Sequence, residues 1–211
     1  MINYPNGKKA CPVHPAETGK ISAGGRGMEL EKEINITNKF YLNSDIAVIH
    51  KKPTPVMIVH VDYPRRSAAK ITEAYFKLPS TTDYNGIYRG RYIDFEAKDN
   101  MIVTAFPLKS IHEHQIRHLD AIVRHGGIAF VIVRFVKRSE TYYVPADRMV
   151  RFVKTTERSS IPYDWFKENG ILIPSSYTKP VDYLKIVDQL YFNSKGETLC
   201  PVSKDLRNTK T

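Results

Sequence analysis

Residues 81–100 read TTDYNGIYRGRYIDFEAKDN, and the fold is decided in this stretch. From Arg91 to Lys98 the side chains alternate. Ile93, Phe95 and Ala97 fall on one face, and Tyr92, Asp94, Glu96 and Lys98 on the other, which is the two-residue period of a β-strand. The Asn85-Gly86 pair is a hairpin signal, because both residues tolerate positive φ. It predicts an antiparallel partner strand that delivers Asp83 beside the charged row. Same-face residues on a strand stand roughly 6.6 Å apart, so Asp94, Glu96 and Lys98 form one line. Ordinary polar residues on an exposed sheet face account for such a line. The alternative is chemical. Crowded carboxylates repel one another unless a cation sits among them, and oxygen ligands with room for water suit a hard divalent ion, above all Mg²⁺. Such an ion polarises a phosphodiester, and an ammonium beside it orients the attacking water or offsets developing charge.

Working outward, GRGMELEKEINITNKFYL (25–42) predicts a helix, with acidic residues in the turns where the dipole favours them. SDIAVIHKK (44–52) and VMIVHVDY (56–63) predict strands separated by Pro53-Thr54-Pro55. YPRRSAAKITEAYFKLPS (63–80) reads as a β-excursion that leaves the compact core, with a solvated loop as the alternative. MIVTAFPL (101–108) predicts a further strand. SIHEHQIRHLDAIVRHGG (110–127) predicts a helix with Ser110 as N-cap and Gly126 as its stop. IAFVIVRF (128–135) is an unbroken apolar run, the mark of a strand buried on both faces. Two helical pieces follow, YDWFKEN stopped by Gly170, and VDYLKIVDQLYF (181–192). The order describes a single α/β domain with a mixed sheet.

The 211 residues suit one domain, and 32 Lys and Arg against 22 Asp and Glu give a net charge of +10, which favours a polyanionic partner such as nucleic acid. No apolar run approaches 18 residues, so a membrane role is not expected. Cys11 and Cys200 match no zinc spacing, and the N-terminus has no apolar segment of signal-peptide type, so a reduced, cytoplasmic setting is expected. Residues 1–26 read as a flexible basic arm and 201–211 as a flexible tail, around a domain at 27–200. The HEHQIRH segment (112–118) invites a zinc reading, but Ile116 stands where a metalloprotease motif needs its second His.

Asp83 followed by Glu96-Ala97-Lys98 matches the PD-(D/E)XK nuclease pattern, although Thr82 stands in place of the proline. YPNGK (4–8), GRGMELEKEI (25–34), IAVIHKKPTPV (46–56), YPRRSAAKITEAYFK (63–77), STTDYNGIYRGRYIDFEAK (80–98) and HEHQIRHL (112–119) together resemble the RecU family of Holliday-junction resolvases. The resemblance implies a restriction-endonuclease-like domain, a mixed sheet flanked by helices with a projecting basic stalk at about 51–79. It implies a homodimer that makes paired, Mg²⁺-dependent incisions across four-way DNA junctions, with Mn²⁺ as a substitute ion. It also implies RecA and the branch-migration helicase as partners. Residue by residue, Asp83, Glu96 and Glu31 become metal ligands, Lys98 the catalytic lysine and Gln115 the glutamine that completes the site. Asp94 either binds a second metal or supports Lys98. Lys51, Lys52, Arg65, Arg66, Lys70, Arg89 and Arg91 are the expected DNA contacts. Two other readings share the pattern: a branched-DNA-binding module that does not cut, and a duplex endonuclease.

Overall fold

A computed structural model describes residues 28–65, 68–77 and 81–192. The expected arm at 1–26, the tail at 201–211, Cys11, Cys200 and Arg66 lie outside them.

The central element is the strand β5 (Arg91–Asn100), which follows β4 (Tyr84–Tyr88) in an antiparallel hairpin. The turn is not at Asn85-Gly86. It is made by Arg89 and Gly90, at φ 48° and 75°, the paired positive values of a two-residue I′ turn. Asn85 and Gly86 lie inside β4, opposite Asp94 and Ile93. Gly86 answers a different need. A Cβ there would stand 2.1 Å from the Val48 carbonyl oxygen and 2.6 Å from the Ile49 Cα, so glycine lets the next strand approach. That strand is β1 (Val48–Lys51), paired antiparallel with β4 at the sheet edge.

Between β1 and β4 the chain makes an excursion, β2 (Val56–Asp62) and β3 (Lys70–Phe76), which pair with each other as a separate two-stranded ribbon. Nearly every residue of both strands is exposed, and among their large hydrophobic side chains Phe76 is the most so. The ribbon therefore adds no core.

After β5, Asn100 turns the chain by donating its side-chain amide to the carbonyls of Ile102 and Ala105, at 2.8 and 2.9 Å. The strand expected over 101–108 thus shrinks to β6 (Ala105–Pro107), which pairs with β9 (Ser160–Pro162) away from the main sheet. A 3₁₀ turn, Leu108–Ser110, takes up the expected N-cap, so the helix α2 (Glu113–Arg124) begins at His112 instead. There the His112 N–H donates to Gln115 Oε1 at 3.0 Å, a capping-box contact. Gly126, at φ 83°, follows the helix end as expected. The helix carries the chain back so that β7 (Ile128–Phe135) runs parallel to β5, a pairing no short turn can make. The unbroken apolar run of β7 is buried on both faces except at Arg134.

The segment 136–162 carried no sequence-based expectation. It forms β8 (Glu140–Pro145) and α3 (Ala146–Thr155) before β9. Then come α4 (Tyr163–Asn169), ended at Gly170, β10 (Ile171–Leu172) and α5 (Leu184–Tyr191). The six-stranded sheet has the order β1-β4-β5-β7-β8-β10, with β5–β7 parallel and the other pairs antiparallel: the expected mixed sheet.

Helices cover both faces. On one, the first helix, α1 (Met28–Asn43), inserts Leu30, Ile34 and Tyr41 beside Tyr183, Leu184 and Val187. There Tyr84, Phe95, Phe130 and Tyr143 stack in succession across β4, β5, β7 and β8, with ring centroids 4.8, 4.7 and 4.3 Å apart. Such cross-strand aromatic pairs add stability beyond their buried area and fix the register. On the other face, Ile116 and Leu119 of α2 and Met149 of α3 pack over Val131 and Val133.

Candidate active site

Asp83 stands immediately before β4, and the register of that hairpin sets it beside Glu96. The Asp83 N–H donates to Glu96 Oε2 at 3.2 Å. Two residues further along β5, Lys98 Nζ lies 2.6 Å from Glu96 Oε1, as an ion pair. Glu96 itself is fully buried. Burial is the main reason that its carboxyl is pushed up to about 7. The Lys98 ammonium pulls against this, and Asp83 raises it further. A carboxylate under such pressure is poised near neutrality, a property that clusters at functional sites.

Glu31, Asp83, Lys98 and Asp99 line a pocket of about 280 Å³ with Leu30, Tyr84, Ala97 and Met101. Glu31 comes from the first turns of α1, where it pairs with Lys51 Nζ at 2.5 Å. Asp99 was not singled out in the sequence. Its only signal was its place next to Lys98, on the opposite strand face. It is half-buried with its pKa raised, first by burial, with the Arg134 charge opposing.

Asp94 points to the same face as Glu96 but has a different setting. It is fully buried, and Lys52 Nζ donates to its Oδ2 at 2.8 Å, as does Tyr92 OH at 2.9 Å. The Thr82 hydroxyl donates to Oδ1, and His118 Nε2 lies 3.3 Å from Oδ2. Both acids are thus far from the exposed sheet face that an ordinary polar row would occupy. Gln115 is buried on α2, with its carbonyl committed to the helix cap.

The basic residues divide. Lys51 and Lys52 sit at the foot of the ribbon and face the acids, while Arg65 and Lys70 are exposed on the ribbon. Arg89 and Arg91 are elsewhere. They lie at the β4–β5 turn, six to seven residues from Asp83 and Lys98, or roughly 20 Å along the strands. There Arg89 pairs with Asp188 at 3.1 Å and Arg91 donates to the Gly126 carbonyl.

Among the described residues, no three His, Cys, Asp or Glu side chains already converge as a metal cage. The donor set nevertheless fits a hard cation. Glu31, Asp83 and Glu96 offer carboxylate oxygens, and the buried Glu96 Oε1 already attracts a cation, the Lys98 ammonium at 2.6 Å. Among the described residues, no helix is long and apolar enough to cross a membrane.

The sequence model of the family described as "Recombination protein U" (RecU) matches residues 25–189. The Holliday junction resolvase RecU of Bacillus pumilus is 51% identical over 205 residues, covering 93% of this chain and 99% of that protein. Those of Geobacillus kaustophilus and Staphylococcus saprophyticus are 50% and 48% identical, over 90% and 93% of this chain and 98% and 99% of theirs. Among solved structures, Hjc of Archaeoglobus fulgidus, a Holliday junction resolvase, aligns over 69% of this chain and 95% of its own, at 13% identity and a TM-score of 0.41.

Proposed function

The chain belongs to the RecU family, and we propose that it is a structure-selective endonuclease that resolves four-way DNA junctions. The observation that carries the chemistry is Glu96, buried between the Asp83 amide and the Lys98 ammonium at the pocket edge.

In this reading Glu31, Asp83 and Glu96 hold a divalent ion, Mg²⁺ first and Mn²⁺ as a substitute. When bound, the ion supplies Lewis-acid polarisation of the phosphodiester and acidifies the attacking water. The rest is done by side chains. Lys98 already neutralises Glu96 in the free protein, and its ammonium is freed to orient the water or meet phosphate charge once that carboxylate has another cation. The Asp83 N–H holds Glu96 in orientation throughout. The fit of Gln115 is indirect: by capping α2 it fixes the helix that covers the charged face of β5.

Resolution requires two incisions, so the reading includes a homodimer. Val48, Ile87 and Tyr92 are register partners across β1, β4 and β5 and form an uncovered row that suits a second copy. The net charge of +10 and the exposed Arg65 and Lys70 suit a DNA partner. RecA, the branch-migration helicase and a cytoplasmic setting belong to the same reading.

The test incubates purified protein with a mobile four-way junction and a matching linear duplex, with Mg²⁺ or EDTA, and with Asp83→Asn alongside. Paired symmetric nicks in the junction alone, lost with EDTA and in the variant, are expected. Tight junction binding without cutting would make the protein a recognition module, and equal cutting of the duplex would make it a general nuclease.

A further inference from the structure

Lys52 stands where the chain leaves β1 for the ribbon, just before Pro53. Its backbone N–H donates to the Asp83 carbonyl at 2.7 Å. Its ammonium donates to Thr82 Oγ1 at 3.0 Å and to Asp94 Oδ2 at 2.8 Å. One residue therefore holds the main chain of one acid and, through Asp94, the strand two positions before the other. The ribbon strands are exposed along almost their whole length, so little packing ties them to the sheet. The polar contacts at the foot are the tie.

Asp94 is the anchor. With Lys52, Thr82 and Tyr92 donating to it and His118 beside it, both oxygens are engaged within the protein. A buried carboxylate so satisfied has little capacity left for an outside cation, whereas removing its cationic partner leaves an uncompensated buried charge. The pair is therefore stiff, and its stiffness falls on the segment that carries Asp83.

We propose that Lys52 is a positioning residue, which docks the foot of the projecting ribbon onto the strands bearing Asp83 and Glu96 and so keeps these two acids at working separation. The proposal rests on the nuclease reading above and deepens it. It replaces a phosphate contact at Lys52 with an internal one, and it makes the ribbon's attachment a condition for catalysis.

Lys52→Met keeps the stem and removes the charge. Lys52→Met/Asp94→Asn removes both charges, so that an unpaired buried carboxylate does not confound folding, and Lys52→Arg is the conservative rescue. Three readouts are needed: junction affinity without divalent ions, single-turnover cleavage at saturating protein with Mg²⁺, and amide exchange at Asp83 and Tyr84. Both methionine variants should bind within about two-fold of the parent. They should cleave about 100-fold more slowly, the scale of a misplacement near 1 Å, and exchange faster at Asp83 and Tyr84. Lys52→Arg should recover most of the rate. Affinity falling in step with cleavage would overturn the proposal in favour of a phosphate contact. Unchanged cleavage would reduce the pair to a structural ion pair and overturn it too. If the parent protein cuts no junction, the nuclease reading fails, while the exchange at Asp83 still decides whether Lys52 holds that segment.

Discussion

Replacing Glu96 with glutamine should remove much of the protein's loss of stability between acid and alkaline pH, in the absence of divalent ions, and abolish cleavage. The Glu96 carboxyl is raised from 4.5 to about 7, chiefly by burial. Between those values the folded protein holds a proton that the unfolded chain has released. Stability therefore falls as pH rises through this window, and the loss is complete above it. The full loss is on the order of 3 kcal/mol, most of which develops between pH 5 and pH 8. Glutamine mimics the protonated acid at every pH. Its carbonyl can still accept from the Asp83 N–H, and any constant cost of its amide facing Lys98 cancels between the two pH values. Urea unfolding in EDTA should thus show the variant gaining roughly 2 kcal/mol or more on the parent between pH 5 and pH 8. Saturating Mg²⁺ should narrow the gap at pH 8, because only the parent then gains binding energy. A gap that stays constant within about 0.5 kcal/mol, or widens the other way, would refute the claim that burial strains this carboxylate.

Lys98→Met should leave junction affinity within a few-fold of the parent while lowering single-turnover cleavage by at least about 100-fold, since it removes a charge needed mainly in the transition state. Gly86→Ala places a Cβ 2.1 Å from the Val48 carbonyl oxygen. Chemical denaturation should show a loss of at least about 2 kcal/mol, with β1 displaced first. Replacing residues 56–76 by a short Gly-Ser turn joins ends that already meet, since the Lys77 N–H donates to the Pro55 carbonyl at 3.0 Å. The melting temperature should move by less than about 4 °C, because almost no core is lost, while preference for the junction over linear duplex should collapse.

Much of the fold was legible because it rests on local period. Alternation over 91–98 identifies β5, and the apolar run at 128–135 identifies β7, before any contact is known. Of the trio Asp83, Glu96 and Lys98, strand period sets the last two on one face, but a turn at Asn85-Gly86 would put Asp83 opposite Tyr88, and only the turn at Arg89-Gly90 brings it to Glu96. Elsewhere local signals pointed to the wrong cause. Asn85-Gly86 has the composition of a turn, yet Gly86 serves the close approach of β1, a strand some 37 residues earlier in the chain. Ser110 has the chemistry of an N-cap, but a 3₁₀ turn intervenes.

What the sequence by itself determined is which side chains share a face. What only the tertiary structure decided is what lies against that face. Asp94 and Glu96 are both acidic, two residues apart and equally buried, and nothing in the strand separates them. Asp94 meets Lys52 from the ribbon foot, Thr82 from the strand lead-in and His118 from α2, and its charge is satisfied within the protein. Glu96 meets one ammonium and one amide, with Asp83 alongside, and burial still outweighs the ammonium and pushes its carboxyl up. Periodicity is a property of neighbouring residues, whereas solvation and pairing depend on groups brought from distant parts of the chain. Two carboxylates alike in sequence therefore acquire opposite chemistry.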